Sequence, residues 1–178
     1  RSIIPDAVNR DQDDFYVTPR RGIEALLDVE QFCGTIWECA CGDGAISRVL
    51  AERGYDVIST DLIYRGYGRG GVDFLRDTTI AADNIVTNPP YKLGDKFAIK
   101  ALSIAARKVA LLMRLAWLEG ERRRRMLFDP HPPARVWVFS RRLSITRRGE
   151  QTKSGGMIAF AWFVWDRDHR GATTIGWI

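Results

Sequence analysis

The sequence predicts an α/β protein: a mostly parallel sheet flanked by helices and finished by an antiparallel hairpin. Three observations carry this. Short apolar runs alternate with amphipathic helical segments over the first 140 of 178 residues, and such alternation joins parallel strands through right-handed crossovers. A glycine-containing turn, Cys41-Gly42-Asp43-Gly44, stands where the first strand meets the helix after it. The last two long apolar runs have only a polar, basic stretch between them, Thr146 to Gly156, so they are expected to pair antiparallel.

The elements follow in order. Residues 1 to 14 read as a flexible arm, acidic at Asp11, Asp13 and Asp14. Thr18-Pro19 predicts a helix start, with Thr as N-cap and Pro at the first helical position; Ile23, Leu26 and Leu27 follow at helical spacing. Thr35-Ile36-Trp37 is a strand ending at Glu38. Beyond the glycine turn, Ile46, Val49 and Leu50 fall on one helical face, and Gly54 closes that helix. Asp56 to Asp61 is the second strand. The chain then loosens around Gly66, Gly68, Gly70 and Gly71 before a short third strand, Val72-Asp73-Phe74. Residues 84 to 89 give a fourth. Phe97, Ala101, Leu102 and Ala105 mark another amphipathic helix, Lys108 to Met113 a fifth strand, and residues 119 to 128 a basic helix stopped by Pro130. Arg135 to Ser140 and Met157 to Asp166 make the final pair, with a last short strand at Thr173 to Ile178.

A chain of this length supports one full core and not two, so residues 15 to 178 are expected to form a single domain. Hydrophobic residues make up 46% and charged residues 28%, an ordinary globular mixture. No apolar run reaches the roughly 20 residues of a membrane span, and no signal-peptide pattern opens the chain. The missing initiator Met reads as a processed or trimmed start. Cys33, Cys39 and Cys41 have neither a disulfide framework nor metal-ligand spacing. They are expected to be small buried thiols in a reducing cytoplasm, with no metal site. The formal charge of +5 is unevenly spread. Acids crowd the first third; Arg122 to Arg125, Arg141-Arg142 and Arg147-Arg148 crowd the last half, which favours a polyanionic partner.

The chemistry is concentrated in Asn88-Pro89-Pro90-Tyr91, at the end of the fourth strand. The asparagine carboxamide oxygen is a neutral acceptor, and a carbonyl followed by proline is a second one with a stiffened direction. Tyr91 adds a flat aromatic surface. Two acceptors and a stacking face suit a planar group bearing an NH2: an exocyclic amine on a nucleobase, or a carboxamide. At the first turn, Gly42 and Gly44 let the backbone approach a ligand closely. Asp61 ends the second strand, where an acid can accept from ribose hydroxyls. The dinucleotide fingerprint is imperfect, because Ser47 stands where a third small Gly or Ala is expected. Nothing demands a pyrophosphate, and the carboxylate of Glu38 suits a positively charged, nucleoside-bearing ligand.

Thr18-Pro19, the Glu38-x-Ala40-x-Gly42-x-Gly44 turn, Asp61, Asp73-Phe74 and Asn88-Pro89-Pro90-Tyr91 stand in the order typical of amino-group S-adenosylmethionine-dependent methyltransferases. From about Asp14 to Asp166 the chain resembles that family, and within it the small phage-type DNA adenine-N6 methyltransferases. The resemblance implies a Rossmann-like class I methyltransferase fold with a mostly parallel seven-stranded sheet and a C-terminal antiparallel hairpin. It implies S-adenosylmethionine as cofactor, DNA as partner (RNA being possible), and methyl transfer to the N6 amine of a flipped adenine. On the matching positions, Thr18 would contact the methionine end of the cofactor, and Glu38, Ala40 and Gly42, with Gly44 completing the turn, would line its methionine and ribose portion. Asp61 would hold the ribose hydroxyls. Asp73 would accept from the cofactor's adenine amine, with Phe74 packing nearby. Asn88 and Pro89, stiffened by Pro90, would orient the target amine, and Tyr91 would stack on the target base. Cys39 replaces the proline often found after the first acid, and a separate target-recognition domain is not apparent.

The basic stretch from Thr146 to Gly156 is expected to contact DNA through Arg147, Arg148 and Lys153. Trp117 is either a further wall for the base or a core indole. Arg122 to Arg125 read as solvated helix charge, with Glu121 and Arg125 paired four positions apart. His131 and His169 have no catalytic company, and Asp166 and Asp168 look like surface charge. Competing functions are an RNA adenine methyltransferase, a protein glutamine methyltransferase (whose usual N-terminal helical module is not apparent here), and a binding module without catalysis.

Overall fold

The structure is a computed structural model and describes residues 15–147 and 157–178. Strands β2 (Ile36–Glu38), β3 (Val57–Ser59), β4 (Asn84–Thr87) and β5 (Lys108–Arg114) are joined through helices α2 (Ala45–Glu52) and α3 (Gly94–Ile104) and the long loop between β3 and β4; helix α1 (Arg20–Val29) precedes them. All four strands run parallel. Strand β8 (Phe160–Asp166) lies antiparallel between β5 and β6 (Arg135–Val138). Strand β9 (Thr174–Trp177) pairs parallel with β6 and completes a seven-stranded sheet of order β3-β2-β4-β5-β8-β6-β9. Two short strands, β1 (Tyr16–Val17) and β7 (Thr146–Arg147), form a separate antiparallel pair.

Both faces of the sheet are covered, so its central strands are buried at nearly every position and mostly apolar, with Glu38, Asn84 and Thr87 as buried polar exceptions. Side chains of β5 alternate: Val109, Leu111 and Met113 join a cluster with Trp37, Phe97 and Phe163, while Ala110 and Leu112 join one with Leu26, Leu50 and Trp162. The amino end of the sheet is tied by ions. Glu30, 3% exposed, accepts from Lys108 Nζ at 2.8 Å, from Trp137 Nε1 at 3.0 Å and from Arg135. Arg135 also donates to Asp166 at 2.7 Å. Asp166 is therefore a half-buried network member and not surface charge.

Other expectations are corrected. The expected last strand at Thr173 to Ile178 forms as β9, whereas Val72–Phe74 is not a strand and leads into a turn, which leaves seven strands in the sheet. Asp73 explains this, because its Oδ1 accepts from Leu75 N–H at 3.0 Å and bends the chain where a strand would extend. Thr18 does not cap α1; Pro19 holds the cap position without a side-chain bond, and the Thr18 hydroxyl is used elsewhere. The basic helix is one α-turn, Glu121–Arg123 (α4), that widens into a π-turn over Arg124–Phe128. Arg123 faces inward onto Asp95 at 2.7 Å and Leu127 is fully buried, while the expected Glu121–Arg125 pair forms on the surface at 3.8 Å. Cys39 and Cys41 are buried as expected, but Cys33 is exposed. Trp117 is a core residue, 6% exposed. Its ring meets Phe128, Phe163 and Trp165 edge-on and its Nε1 donates to Asp95 at 2.8 Å, so it offers no wall to a base.

Candidate active site

Ligands of open parallel sheets lie beyond the carboxyl ends of the strands, and a pocket of about 510 Å³ opens there, at the ends of β2, β3 and β4. That is within the range of small-molecule sites. It brings together Thr18, Glu38, Ala40, Asp61, Asp73, Phe74, Asn88 and Pro90 from the sequence expectation. Phe15, Tyr16, Ile63 and Arg65 also line it and were missed; they lie on loops or, for Tyr16, on a two-residue strand, whose placement has no periodic signal.

Asn88 leads out of β4 with a fixed amide. Its Nδ2 donates to Thr18 Oγ1 at 3.1 Å and to the Tyr16 carbonyl at 3.5 Å. With both acceptors on the nitrogen side, the oxygen must point the other way. Asn88 Oδ1 is buried and finds no hydrogen-bond partner among the described residues. A buried acceptor left open costs on the order of 1–3 kcal/mol, a cost a ligand N–H removes. The Pro90 carbonyl is taken by Leu93 N–H at 2.9 Å, whereas no described donor bonds the Pro89 carbonyl. Pro89 itself is buried.

Glu38, 1% exposed, is held from two sides. Thr87 Oγ1 donates to one carboxyl oxygen at 2.9 Å and Ser47 Oγ to the other at 3.3 Å; Ser59 donates in turn to Ser47 at 2.8 Å. Ser47, a defect in the glycine fingerprint, is thus the residue that orients Glu38. Burial pushes the Glu38 carboxyl up to about 8 despite the bonds from Thr87 and Ser47, with the Asp61 charge adding to the rise. Burial likewise pushes the Cys41 thiol up to about 12.

Asp61 braces the first turn: its Oδ2 accepts from Gly42 N–H at 2.8 Å, and its Oδ1 from Ile63 N–H at 2.9 Å. Each oxygen retains a lone pair. Gly42 and Gly44 have φ of +55° and +89°. Their open sides are filled by the protein, since a Cβ would lie 2.2 Å from the Phe15 ring at Gly42 and 2.4 Å from the Tyr67 ring at Gly44. Phe74 stacks edge-on against Trp37 and leans on Phe97.

Tyr91 does not line the pocket. Its ring lies between Tyr16, at 5.1 Å, and Phe160, at 5.8 Å, with the Arg114 guanidinium 5.0 Å over it. Arg147 is placed by its backbone in β7, beside β1 and the Asn88 amide. Arg148 and Lys153 lie outside the described residues.

No protein-family model matches the chain, and no curated protein matches it. Solved structures match the fold. One is the modification subunit assigned to a type I restriction enzyme from Vibrio vulnificus YJ016 (TM-score 0.63, 14% identity, covering 94% of this chain and 48% of that one). A protein assigned as an RNA methyltransferase from Pyrococcus horikoshii matches with TM-score 0.59 and 14% identity, over 83% of this chain and 80% of that one. The type I restriction-modification methyltransferase subunit from Streptococcus thermophilus matches with TM-score 0.57 and 11% identity, over 94% and 44%. The chain spans about half the length of the first of these. It has the Rossmann-like α/β fold of methyltransferases, with a seven-stranded, mostly parallel sheet and an antiparallel pair near its C-terminal edge.

Proposed function

We propose that the protein transfers a methyl group from S-adenosylmethionine to the exocyclic N6 amine of adenine in DNA, on a base turned out of the duplex. The observation that carries this is Asn88 Oδ1, a buried acceptor with no described partner, in one pocket with Glu38 and Asp61. The pocket fits the cofactor. Asp61 keeps lone pairs for ribose hydroxyls, Glu38 supplies an acid facing a cationic methionine end, and Ile63, Asp73 and Phe74 line the part suited to an adenine. Bound S-adenosylmethionine would supply an electrophilic methyl group on a sulfonium.

The residues of the chain supply orientation. An adenine amine is a poor nucleophile because its lone pair is delocalised into the ring. Asn88 Oδ1 and the Pro89 carbonyl each accept one N–H, which favours a pyramidal nitrogen and stabilises the positive charge that develops on it. No base is needed before attack, because the proton leaves afterwards. Flipping costs on the order of a few kcal/mol, offset by phosphate contacts to basic side chains. The fold neighbours named for restriction-modification systems support a nucleic-acid substrate. RNA is the second reading, favoured by the Pyrococcus horikoshii neighbour, since phosphate attraction does not identify the sugar.

Labelled methyl transfer into separate DNA, RNA and protein pools tests this. The expected outcome is N6-methyladenine in DNA, lowered about 10²–10³-fold in Asn88→Ala while cofactor binding persists. Label confined to RNA or to protein, or absent from every pool, overturns it.

A further inference from the structure

Arg114 ends β5 one strand away from Asn88, at the same edge of the sheet. It is half-buried, and its Nε is enclosed with no hydrogen-bond partner among the described residues. No described carboxylate pairs with it. Its guanidinium lies 5.0 Å over the Tyr91 ring, the ring expected from the sequence to stack on a target base. On its other side it lines a groove with Leu115, Ala116, Leu118, Ile158 and Ala159, in which Glu119 is the lone acid among the lining residues. Two other half-buried arginines have carboxylate acceptors: Arg123 has Asp95, and Arg135 has Glu30 and Asp166.

An arginine withdrawn from water without a counter-charge is costly, and its planar fork matches a phosphate. We infer that Arg114 is a binding site for the phosphodiester next to the flipped nucleotide, and that in the free protein its guanidinium occupies the face of Tyr91 that the base takes. Arrival of the base displaces the guanidinium from the ring, and the nucleotide's own phosphate, carried in with the base, receives it. This rests on the nucleic-acid reading above and sharpens it. The substrate is then a nucleotide within a strand; a free base or a glutamine side chain carries no phosphate to this position.

The test is binding of random-sequence single-stranded oligonucleotides over a salt series with S-adenosylhomocysteine present, which needs no methyl transfer. Arg114→Gln is expected to weaken binding about ten- to hundredfold and to lower the slope of log affinity against log salt by about 0.7. Arg114→Lys restores most of the slope. Oligonucleotides with methylphosphonates in place of phosphates weaken wild type more than Arg114→Gln. Retained S-adenosylhomocysteine affinity shows that each variant is folded. Arg114→Gln with wild-type affinity and slope, against a wild type that binds, overturns the Arg114 assignment alone. A wild type that binds no oligonucleotide overturns the nucleic-acid reading as well.

Discussion

At the residue scale, two asparagines on one strand show how surroundings set chemistry. Asn84, fully buried at the start of β4, spends both ends: its Nδ2 donates to the Cys33 and Thr35 carbonyls and its Oδ1 accepts from Lys108 N–H. Asn88 spends only its nitrogen. The motif made Asn88 legible as an acceptor, but its orientation was not legible, because it depends on Thr18 and Tyr16, distant in sequence. Glu38 was legible as an acid and not as a protonated one. Its unfolded carboxyl releases a proton near 4.5, while the folded one holds it to about 8. Between those values the native state binds more protons, so stability falls as pH rises, by at most about 1.4 kcal/mol per pH unit. Glu38→Gln keeps acceptor and donor atoms without that liability. Urea unfolding at several pH values is expected to show the variant gaining on wild type as pH rises from 5 to 8, with no further gain above that window.

At the scale of elements, the alternating strands and helices were readable because both faces of the sheet are covered and the buried runs are mostly apolar. What failed was the identity of an edge. Val72–Phe74 has strand-like residues, but the loop before it turns back on itself: Arg69 N–H bonds Ser59 O at 3.0 Å and Val72 N–H bonds Asp61 O at 3.0 Å. Those bonds hold the edge of β3 that a third strand would need. The first turn makes a sharper demand. Gly44→Ala puts a Cβ against the Tyr67 ring at positive φ, and is expected to cost more than about 1 kcal/mol in chemical denaturation. Trp117→Ala is expected to cost about 3–5 kcal/mol by the same measurement. It should leave the salt dependence of oligonucleotide binding in its folded fraction unchanged, as suits an indole enclosed by Phe128, Phe163 and Trp165.

Over the whole molecule, stability and chemistry are kept at opposite ends of the sheet. The amino end is tied by Glu30 to Lys108, Arg135 and Trp137, none of which a local pattern in the sequence connects. Burial alone would raise the Glu30 carboxyl, but bonds from Arg135, Lys108 and Trp137 outweigh it and hold it below its ordinary value. That stabilisation is present above the unfolded pKa near 4.5 and is lost as pH falls through the folded one. Glu30→Ala leaves Lys108 and Arg135 to share Asp166 and is expected to cost about 1.5–3 kcal/mol at neutral pH in chemical denaturation, with cofactor binding by the remaining folded protein unaltered.

The two-rung ladder between Tyr16–Val17 and Thr146–Arg147 has a consequence for timing. Those segments lie about 130 residues apart in sequence, and the sheet closes without them. The carboxamide of Asn88 acquires its direction only when Tyr16 and Thr18 arrive. The scaffold can therefore be complete while the Asn88 amide is still unset, and a brief fraying of two backbone rungs is enough to release it. Amide protons of Tyr16 and Val17 should accordingly exchange with solvent far sooner than those of Ala110 to Leu112, marking a pocket rim that loosens and re-forms without unfolding.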